Sequence, residues 1–117
     1  MYVYPCKVVN VVDGDTIDIE LDLGFHIKMK ERVRLIDVDT PEVFGPNAEA
    51  AGQVASDYSK RWIDERTARG VFIYESKRNN ARDKYGRSLG YLRWLGVDGQ
   101  KETLNEAIIA SGNVKKK

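Results

Sequence analysis

The sequence predicts an α+β fold in which five short strands form a small barrel and two helices pack against it. Hydrophobic and polar residues alternate in several short segments, which is the period of a half-buried strand. Two other segments carry apolar residues three and four positions apart, as helices do. A chain of 117 residues supports one hydrophobic core. We therefore expect a single domain at residues 1–114 and a disordered lysine tail at residues 115–117.

The first two strands are predicted from β-branched residues and strict alternation. Residues 3–12 form the first strand, and Pro5 places it at a sheet edge or at a strand start because proline lacks the backbone N–H. A turn at residues 13–15 follows. In residues 16–22 the isoleucine and leucine side chains share one face and the acids occupy the other. These strands begin a meander.

The third strand completes the meander after a turn at residues 23–24. Apolar residues at positions 25, 27 and 29 continue the alternation, and residues 33–38 are β-branched and apolar enough to be buried. Glu31 interrupts the pattern. A bulge or a bend is expected there, because the sheet must curve to form a barrel.

Two helices and two further strands complete the fold. Asn47 can cap the first helix. Its apolar face is formed by Ala51, Ala55, Tyr58 and Trp62. Strands follow at residues 71–75 and 88–95, and the capping-box spacing of Thr103-Leu-Asn-Glu106 begins a second helix that ends at Gly112. A helix between strands 3 and 4 and a C-terminal helix are typical of a five-stranded OB-fold β-barrel, with a mixed open sheet as the alternative.

Composition limits the chemistry of such a domain. Cys6 is the one cysteine and His26 the one histidine, which excludes an internal disulfide, a paired-histidine site and an ordinary zinc site. A metal would therefore be held by oxygen. No apolar run reaches the ~20 residues of a membrane span, and the N-terminus lacks the features of a signal peptide. We expect a monomer without membrane contact, cytoplasmic or intracellular as given and secreted if an upstream segment was removed.

Two aspartates are candidate metal ligands. Asp15 begins one strand and Asp39 lies where Pro41 ends a nearby one, so both can reach the same rim of the barrel. Thr40 adds a hydroxyl and a carbonyl. Oxygen ligands at one rim suit a hard cation such as calcium or magnesium. The alternative is that Asp13-Gly-Asp-Thr16 is only a good turn, since aspartate and glycine are common in turns.

Two arginines and a glutamate complete a candidate site for phosphodiester hydrolysis. The planar forks of Arg34 and Arg87 match two oxygens of a phosphate, and a cation would be needed between that phosphate and an acidic rim. Glu42 could accept the proton of an attacking water. Each residue also has a simpler interpretation. Arg34 could be a structural partner of Asp37 or Glu42, Arg87 a loop charge, and Glu42 a surface acid near a helix start.

Three blocks of the sequence resemble the signature of the staphylococcal nuclease (thermonuclease) family. They are Val11-Val-Asp-Gly-Asp-Thr16, Arg34-Leu-Ile-Asp-Val-Asp-Thr-Pro-Glu42 and Asp83-Lys-Tyr-Gly-Arg87. Gly45-Pro-Asn-Ala48 and Leu104-Asn-Glu-Ala107 are also similar to the family pattern. The blocks occur in the family's order with similar spacing, so the resemblance covers nearly the whole chain.

The resemblance implies an OB-fold nuclease that needs calcium. Such an enzyme cleaves DNA and RNA, here expected to be single-stranded or melted, by attack of water on phosphorus. The bond to the 5′ oxygen breaks and the products carry 3′ phosphates. The implied Ca²⁺ ligands are Asp15, Asp39 and the Thr40 carbonyl, supported by Asp13 and Thr16.

The resemblance also implies roles for the remaining site residues. The implied catalytic residues are Arg34, Glu42 and Arg87. Lys84 and Tyr85 would contact a neighbouring phosphate. Arg78 and Arg82 flank this loop and could contact the nucleic-acid backbone without reading its sequence.

The chain departs from the family pattern in two places. Asp37 stands where the family usually has an apolar residue, and it could pair with Arg32 or disturb Arg34. Family members usually continue into a tyrosine-bearing segment and a third helix, so we expect a C-terminally short member with weaker nucleotide binding or lower stability. The alternative function is a noncatalytic nucleic-acid-binding module on the same barrel. A structural domain of a phage particle is a third reading, without positive support in the sequence.

Overall fold

The computed structural model describes residues 2–45, 50–77 and 82–115 of the chain. This part of the chain contains six strands and two helices. In chain order they are β1 (Val3–Asp13), β2 (Thr16–Asp22), β3 (Lys28–Leu35), α1 (Ala50–Thr67), β4 (Gly70–Ser76), β5 (Ser88–Gly96), β6 (Lys101–Thr103) and α2 (Leu104–Ser111). Neither of these described helices is long and apolar enough to cross a membrane.

The first five strands close into a barrel. Their order is β3-β2-β1-β4-β5, with antiparallel neighbours. Strand β3 then pairs in parallel with β5, from Val33↔Ser88 to Leu35↔Gly90, and this pairing removes the free edges of an open sheet. The five-stranded OB-fold barrel is therefore confirmed, with α1 between strands 3 and 4 and α2 near the C-terminal end. The mixed open sheet is excluded.

Strand β6 is an addition to the predicted fold. Its three residues pair with β5 in antiparallel fashion and lead directly into α2. The sequence predicted no strand between residues 88–95 and the second helix. A segment of this length is too short to show a periodicity of its own, so its pairing was not predictable from the pattern.

The hydrophobic core fills the barrel and continues beneath the two helices. The apolar face predicted for β2 is buried, and so are most positions of the predicted helical stripes. The buried side chains include Ile17, Ile19, Ala55, Trp62, Trp94, Leu104 and Ile108. Ala51 is the exception on α1, because it is exposed. The helices thus cover the barrel with the faces that the sequence predicted.

Strand β3 is shorter than predicted and has no bulge at Glu31. Its pairing with β2 is continuous along the whole of β2. The register shifts lie in β1 instead, which pairs with both β2 and β4 and must bend between them. The predicted beginning of the third strand is a turn, and Phe25 at this turn is 94% exposed.

Helix α2 has the ends that the sequence predicts. Thr103 Oγ1 accepts a hydrogen bond from the amide of Glu106 at 3.3 Å. Gly112 has a φ of 81°, a left-handed conformation that glycine adopts without a steric penalty. Helix α1 is described from Ala50, whereas its predicted cap, Asn47, lies outside the described residues.

Candidate active site

One arginine lies between two of the predicted metal ligands. Arg34 Nη2 is 3.3 Å from Asp15 Oδ2 and 3.4 Å from Asp39 Oδ1. Asp15 directly precedes β2 and Arg34 lies near the end of β3, and the antiparallel pair Thr16↔Arg34 brings these two segments together. The three charged side chains therefore meet at one rim of the barrel.

The carboxylate of Asp15 is buried and held by hydrogen bonds. Its side chain is 8% exposed. Oδ2 accepts a hydrogen bond from Thr40 N at 2.9 Å, and Oδ1 accepts one from Thr16 Oγ1 at 3.0 Å. An ionised carboxylate is costly to bury without compensating charge, which Arg34 supplies here. The Asp-Gly-Asp-Thr turn is therefore part of this charged cluster as well as a chain reversal.

Gly14 allows this turn to pack closely against its neighbours. A Cβ atom on Gly14 would lie 3.0 Å from side-chain atoms of both Thr40 and Ala55. On the other side Ser59 Oγ, from α1, donates to Gly14 O at 2.7 Å. The hydroxyl of Thr40 is buried beside the turn and has no hydrogen-bond partner among the described residues.

The guanidinium of Arg34 is fixed by the backbone. Its Nη1 donates to Leu35 O and Val38 O, both at 2.6 Å. These bonds hold the fork while Nη2 faces the carboxylates of Asp15 and Asp39. Within the described residues these two acids are its ion-pair partners, so the alternative pairing with Asp37 or Glu42 is wrong.

Asp37 has a different partner from the predicted ones. Its Oδ2 accepts a hydrogen bond from Tyr91 Oη at 3.3 Å. Its φ of 63° lies in the left-handed region, which aspartate tolerates better than most residues. Arg32, one of its predicted partners, instead binds Asp18 through Nε at 2.8 Å and Nη2 at 3.1 Å. The predicted pairing of Asp37 with Arg32 is therefore wrong.

A compact loop before β5 holds the second arginine. Asp83 Oδ1 accepts hydrogen bonds from the amides of Tyr85 and Arg87, each at 2.9 Å, and Oδ2 accepts one from Arg87 Nε at 2.6 Å. Burial raises the pKa of Asp83, but the hydrogen bonds from Arg87 and Tyr85 outweigh burial and leave that pKa below its ordinary value. Arg87 Nη1 also donates to Thr16 Oγ1 at 3.4 Å.

Both arginines are thus connected to one cluster. Arg87 contacts Thr16, which binds Asp15, and Asp15 pairs with Arg34. The parallel pair Arg34↔Leu89 explains why the two guanidinium groups lie on neighbouring strand ends. Two forks that can each bind phosphate oxygens therefore border the same acidic rim.

Lys84 and Tyr85 lie at the exposed side of the loop. Tyr85 is 72% exposed. Lys84 Nζ is 5.2 Å and Arg87 Cζ is 5.3 Å from the centre of its ring. The loop borders a cavity of about 350 Å³, whose other walls include Arg34, Asp37, Lys77 and Leu89. A basic cavity beside an exposed aromatic ring can receive a nucleotide.

Glu42 lies on a loop that packs backbone to backbone on α1. A Cβ atom on Gly52 would overlap the Glu42 carbonyl. The Glu42 side chain is 39% exposed, and Lys115 Nζ lies 3.9 Å from its Oε1. Lys115 N also donates to Asp39 O at 2.7 Å. Lys115 thus contacts the segment of Asp39 and Glu42, while residues 116–117 of the predicted tail lie outside the described residues.

The remaining predicted site residues are Asp13, Arg82 and Arg78, and they differ in their contacts. Asp13 Oδ1 accepts a hydrogen bond from Val43 N at 3.0 Å, which ties the Glu42 loop to the Asp13 turn. Arg82 forms an ion pair with Glu31, with Nη2 at 2.5 Å from Oε1. Arg78 lies outside the described residues. The contacts of Arg78 and Arg82 with nucleic acid stay predictions.

The donors at the rim fit a hard cation. Asp15 and Asp39 present carboxylates on either side of one positively charged nitrogen, and Thr40, which follows Asp39 and bonds Asp15 through its amide, carries the predicted carbonyl ligand. All of these donors are oxygen, the ligand type that calcium and magnesium prefer. In residues 2–45, 50–77 and 82–115 no group of three acidic, histidine or cysteine side chains could hold a metal. Backbone carbonyls and water would therefore complete the ligand set.

Comparison with known proteins gives consistent matches. The family described as "Staphylococcal nuclease homologue" matches residues 32–115. Thermonuclease of Staphylococcus hyicus is 37% identical over 108 residues, 91% of this chain and 55% of the relative. Thermonuclease of Staphylococcus intermedius is 43% identical over 91 residues, 76% of this chain and 48% of the relative. Endonuclease YncB of Bacillus subtilis (strain 168) is 34% identical over 109 residues, 87% of this chain and 47% of the relative. The chain spans about half the length of these curated relatives.

Proposed function

Since the chain belongs to the staphylococcal nuclease family, we propose that it is a calcium-dependent nuclease that hydrolyses phosphodiester bonds of DNA and RNA. One observation carries the proposal: Arg34 and Arg87 border the same rim as the carboxylates of Asp15 and Asp39. A rim of acids alone would repel a phosphate, and arginines alone would only bind it. Together they can bind a phosphodiester and favour its hydrolysis.

The two arginines bind the phosphate and stabilise the charge that develops on it. The backbone bonds of Arg34 and the Asp83 contacts of Arg87 fix both guanidinium groups before substrate arrives. Donors that are already oriented lose little energy to reorganisation when negative charge builds up on the phosphoryl oxygens. Lys84 and Tyr85 contact a neighbouring phosphate from the exposed side of the loop.

Glu42 acts on the attacking water. Its carboxylate accepts a proton from the water while the water oxygen bonds to phosphorus and the bond to the 5′ oxygen breaks. The 5′ oxygen takes a proton from solvent, and the other product keeps a 3′ phosphate. The half-buried position of Glu42 supports this role, because its backbone is packed on Gly52 while its side chain remains accessible to water.

The cation site consists of Asp15, Asp39 and the Thr40 carbonyl, with Asp13 and Thr16 in support. When bound there, Ca²⁺ supplies polarisation of a phosphoryl oxygen and neutralises the acidic rim. The all-oxygen donor set supports this assignment. Asp13 fixes the Glu42 loop through Val43, and Thr16 bonds both Asp15 and Arg87, so both supporting residues orient groups that act on the substrate.

Single-stranded or melted nucleic acid is the proposed substrate. The cavity of about 350 Å³ beside the exposed ring of Tyr85 offers space and a stacking surface for an unpaired base. A paired base would have to leave its stack before it could use this surface, at a cost of a few kcal/mol. The chain should therefore degrade heat-denatured DNA faster than duplex DNA.

The proposal is tested by hydrolysis of heat-denatured DNA with calcium and then with excess chelator. We expect cleavage in calcium, its loss in chelator, and a decrease of at least about 100-fold in Glu42→Gln and Arg87→Ala. Arg32→Gln is the matched control, because Arg32 pairs with Asp18 and not with Asp15 or Asp39, and its replacement also removes one arginine. Binding without cleavage by the parent chain would instead establish the noncatalytic nucleic-acid-binding module.

A further inference from the structure

The contact between β3 and the segment that leads into β5 extends to residues that precede the first paired ones. The parallel register begins at Val33↔Ser88. Two residues earlier on each segment, the same register places Glu31 level with Gly86. The backbone pairing of the two strands does not extend to this level, and the loop at residues 82–87 occupies it. A side-chain contact joins the two segments at this level, in addition to the backbone bridge of Arg82 with Ser88 at the start of β5.

Arg82 and Glu31 make this connection. Arg82 Nη2 lies 2.5 Å from Glu31 Oε1, and Nη1 lies 3.2 Å from Oε2, so the fork binds both carboxylate oxygens. Nη1 also donates to Gly86 O at 2.8 Å. The Glu31 side chain is only 12% exposed, which reduces the solvent screening of the pair compared with a fully exposed one. Accordingly, the pKa of Arg82 is raised by its bond to Glu31.

The bonds inside the loop cannot set its position. Asp83 binds the amide and the Nε of Arg87, but both residues belong to the loop and move with it. These bonds fix the shape of the loop, whereas its place relative to Arg34 depends on contacts with the rest of the barrel. One such contact is the 3.4 Å bond from Arg87 to Thr16, which is long. The ion pair of Arg82 with Glu31 has shorter donor–acceptor distances than this bond and consists of two hydrogen bonds.

We propose that Arg82 and Glu31 form a strap that positions Arg87 opposite Arg34, and that Arg82 is therefore a positioning residue of the nuclease site. This inference rests on the proposed function. The strap joins the loop to the same strand that carries Arg34, three residues further along. Loss of the strap would free the loop to move on the barrel, so the distance of Arg87 from the phosphate would vary and the bonds of Asp83 inside the loop would open more often. A displacement of about 1 Å can cost up to ~100-fold in rate.

A variant of Glu31 distinguishes the strap from the alternative that Arg82 contacts nucleic acid directly. If Arg82 binds a phosphate of the substrate, Glu31 competes for its fork, and Glu31→Gln should leave binding unchanged or improve it. If Arg82 positions the loop, Glu31→Gln should damage catalysis as Arg82→Gln does. The two variants have opposite effects on net charge, so a shared decrease cannot come from long-range attraction of the substrate.

The experiment measures kcat and KM on a single-stranded oligonucleotide with calcium for Arg82→Gln, Glu31→Gln and the double variant. We expect each single variant to lower kcat about tenfold with KM changed by less than about twofold, and the double variant to be no slower than the slower single one. Arg32→Gln is the matched control, because it breaks a two-pronged ion pair at the next residue of β3 whose partner, Asp18, belongs to β2 and not to the loop. Its kcat should equal that of the parent.

A second measurement is independent of activity. Amide hydrogen exchange at Tyr85 and Arg87 should become faster in both single variants and stay unchanged in Arg32→Gln, while the midpoint of thermal unfolding stays close to that of the parent. If the parent does not cleave DNA, the proposed function fails and exchange alone decides on the strap. Either of two results would overturn the strap proposal. One is a raised KM in Arg82→Gln with parental kinetics in Glu31→Gln, and the other is unchanged amide exchange in both variants.

Discussion

Asp37 combines an unusual backbone conformation with one side-chain bond, so its substitutions are informative at the residue scale. Its φ of 63° costs most residues roughly 1–2 kcal/mol, whereas glycine adopts it freely. We expect Asp37→Leu to lower the free energy of unfolding by about 1–2 kcal/mol, because leucine takes on the strain and loses the bond to Tyr91.

Asp37→Gly is the matched variant, since it loses the same bond without the strain and should change stability by less than about 1 kcal/mol. Urea unfolding of both variants checks the prediction. Equal losses in the two would mean that the Tyr91 bond, and not the backbone, explains why aspartate stands here.

The site residues differ in how far the sequence could predict them. Asp15, Arg34 and Asp39 were predictable as neighbours, because strand ends fix where a side chain leaves the sheet. The partners of the neighbouring charged residues, by contrast, were not predictable from the sequence. The bond from Tyr91 to Asp37 joins residues far apart in sequence, and the pairs of Arg82 with Glu31 and Lys115 with Glu42 do so as well. Such pairs depend on how distant segments of the chain meet in the closed barrel, which no local pattern encodes.

At the scale of elements, helix α1 supports the Glu42 loop through Gly52. Alanine would add about 1 kcal/mol of helix propensity at this position. The added Cβ would nevertheless overlap the Glu42 carbonyl, so the helix and the loop would have to separate. We expect Gly52→Ala to lower the free energy of unfolding by about 1–3 kcal/mol and to lower kcat as well, since Glu42 shifts with its loop.

Chemical denaturation and initial-rate kinetics measure the two effects of Gly52→Ala. Gln53→Ala is the control, because Gln53 is the exposed neighbour on the same helix and bonds only Asp57 among the described residues. It should change stability by less than about 0.5 kcal/mol. A stabilised Gly52→Ala variant would show that the contact between α1 and the loop is looser than described.

The loop of Asp83 gives the chain a specific pH dependence. The pKa of Asp83 is lowered from its ordinary value of 3.8, so near that pH the folded chain binds fewer protons than the unfolded chain. The stabilisation from its bonds to Arg87 and Tyr85 is therefore complete above pH 3.8 and is lost as the pH falls through the lower, folded value.

We expect Asp83→Asn to be less stable than the parent at pH 7, with a difference that shrinks as the pH falls below 3.8. Urea midpoints at several pH values measure it. Asp57→Asn, on the exposed side of α1, is the control for the loss of one carboxylate, and at pH 7 it should be about as stable as the parent. A difference that does not depend on pH would mean that the charge of Asp83 is not what holds the loop.

Elements with their own periodicity were predictable, and elements that depend on neighbours were not. Strand β2 and the caps of α2 agree with the sequence because alternation and the capping box are local. Of the bulge or bend expected at Glu31 the bulge is absent, and the register shifts lie in β1, which pairs with two partners. The place of curvature depends on the sheet as a whole.

At the scale of the whole molecule, Asn105 joins three parts of the fold. It is 2% exposed at the start of α2. Its Oδ1 accepts from Leu92 N at 3.1 Å, and its Nδ2 donates to Ile36 O at 2.9 Å and to Gly90 O at 3.3 Å. It therefore links α2, β5 and the segment after β3.

We expect Asn105→Ala to lower the free energy of unfolding by about 2–4 kcal/mol, because it leaves buried backbone groups without partners. The slope of unfolding against urea should stay the same, since the exposed area does not change. Asn113→Ala is the control, because Asn113 bonds only Ser111 in the part of the chain that the structure describes. A loss below about 1 kcal/mol would show that water replaces these bonds.

The parallel pairing of β3 with β5 also determines when the site can form during folding. The paired residues are 55 positions apart, whereas the meander of β1 to β3 connects near neighbours. Loop-closure entropy makes such a distant pairing slow, so we expect the meander to form first and the barrel to close late. Arg34 belongs to the early part and Arg87 to the closing one. A refolding chain can thus acquire much of its secondary structure before it has any catalytic capacity, and activity should return only with the slowest phase of refolding.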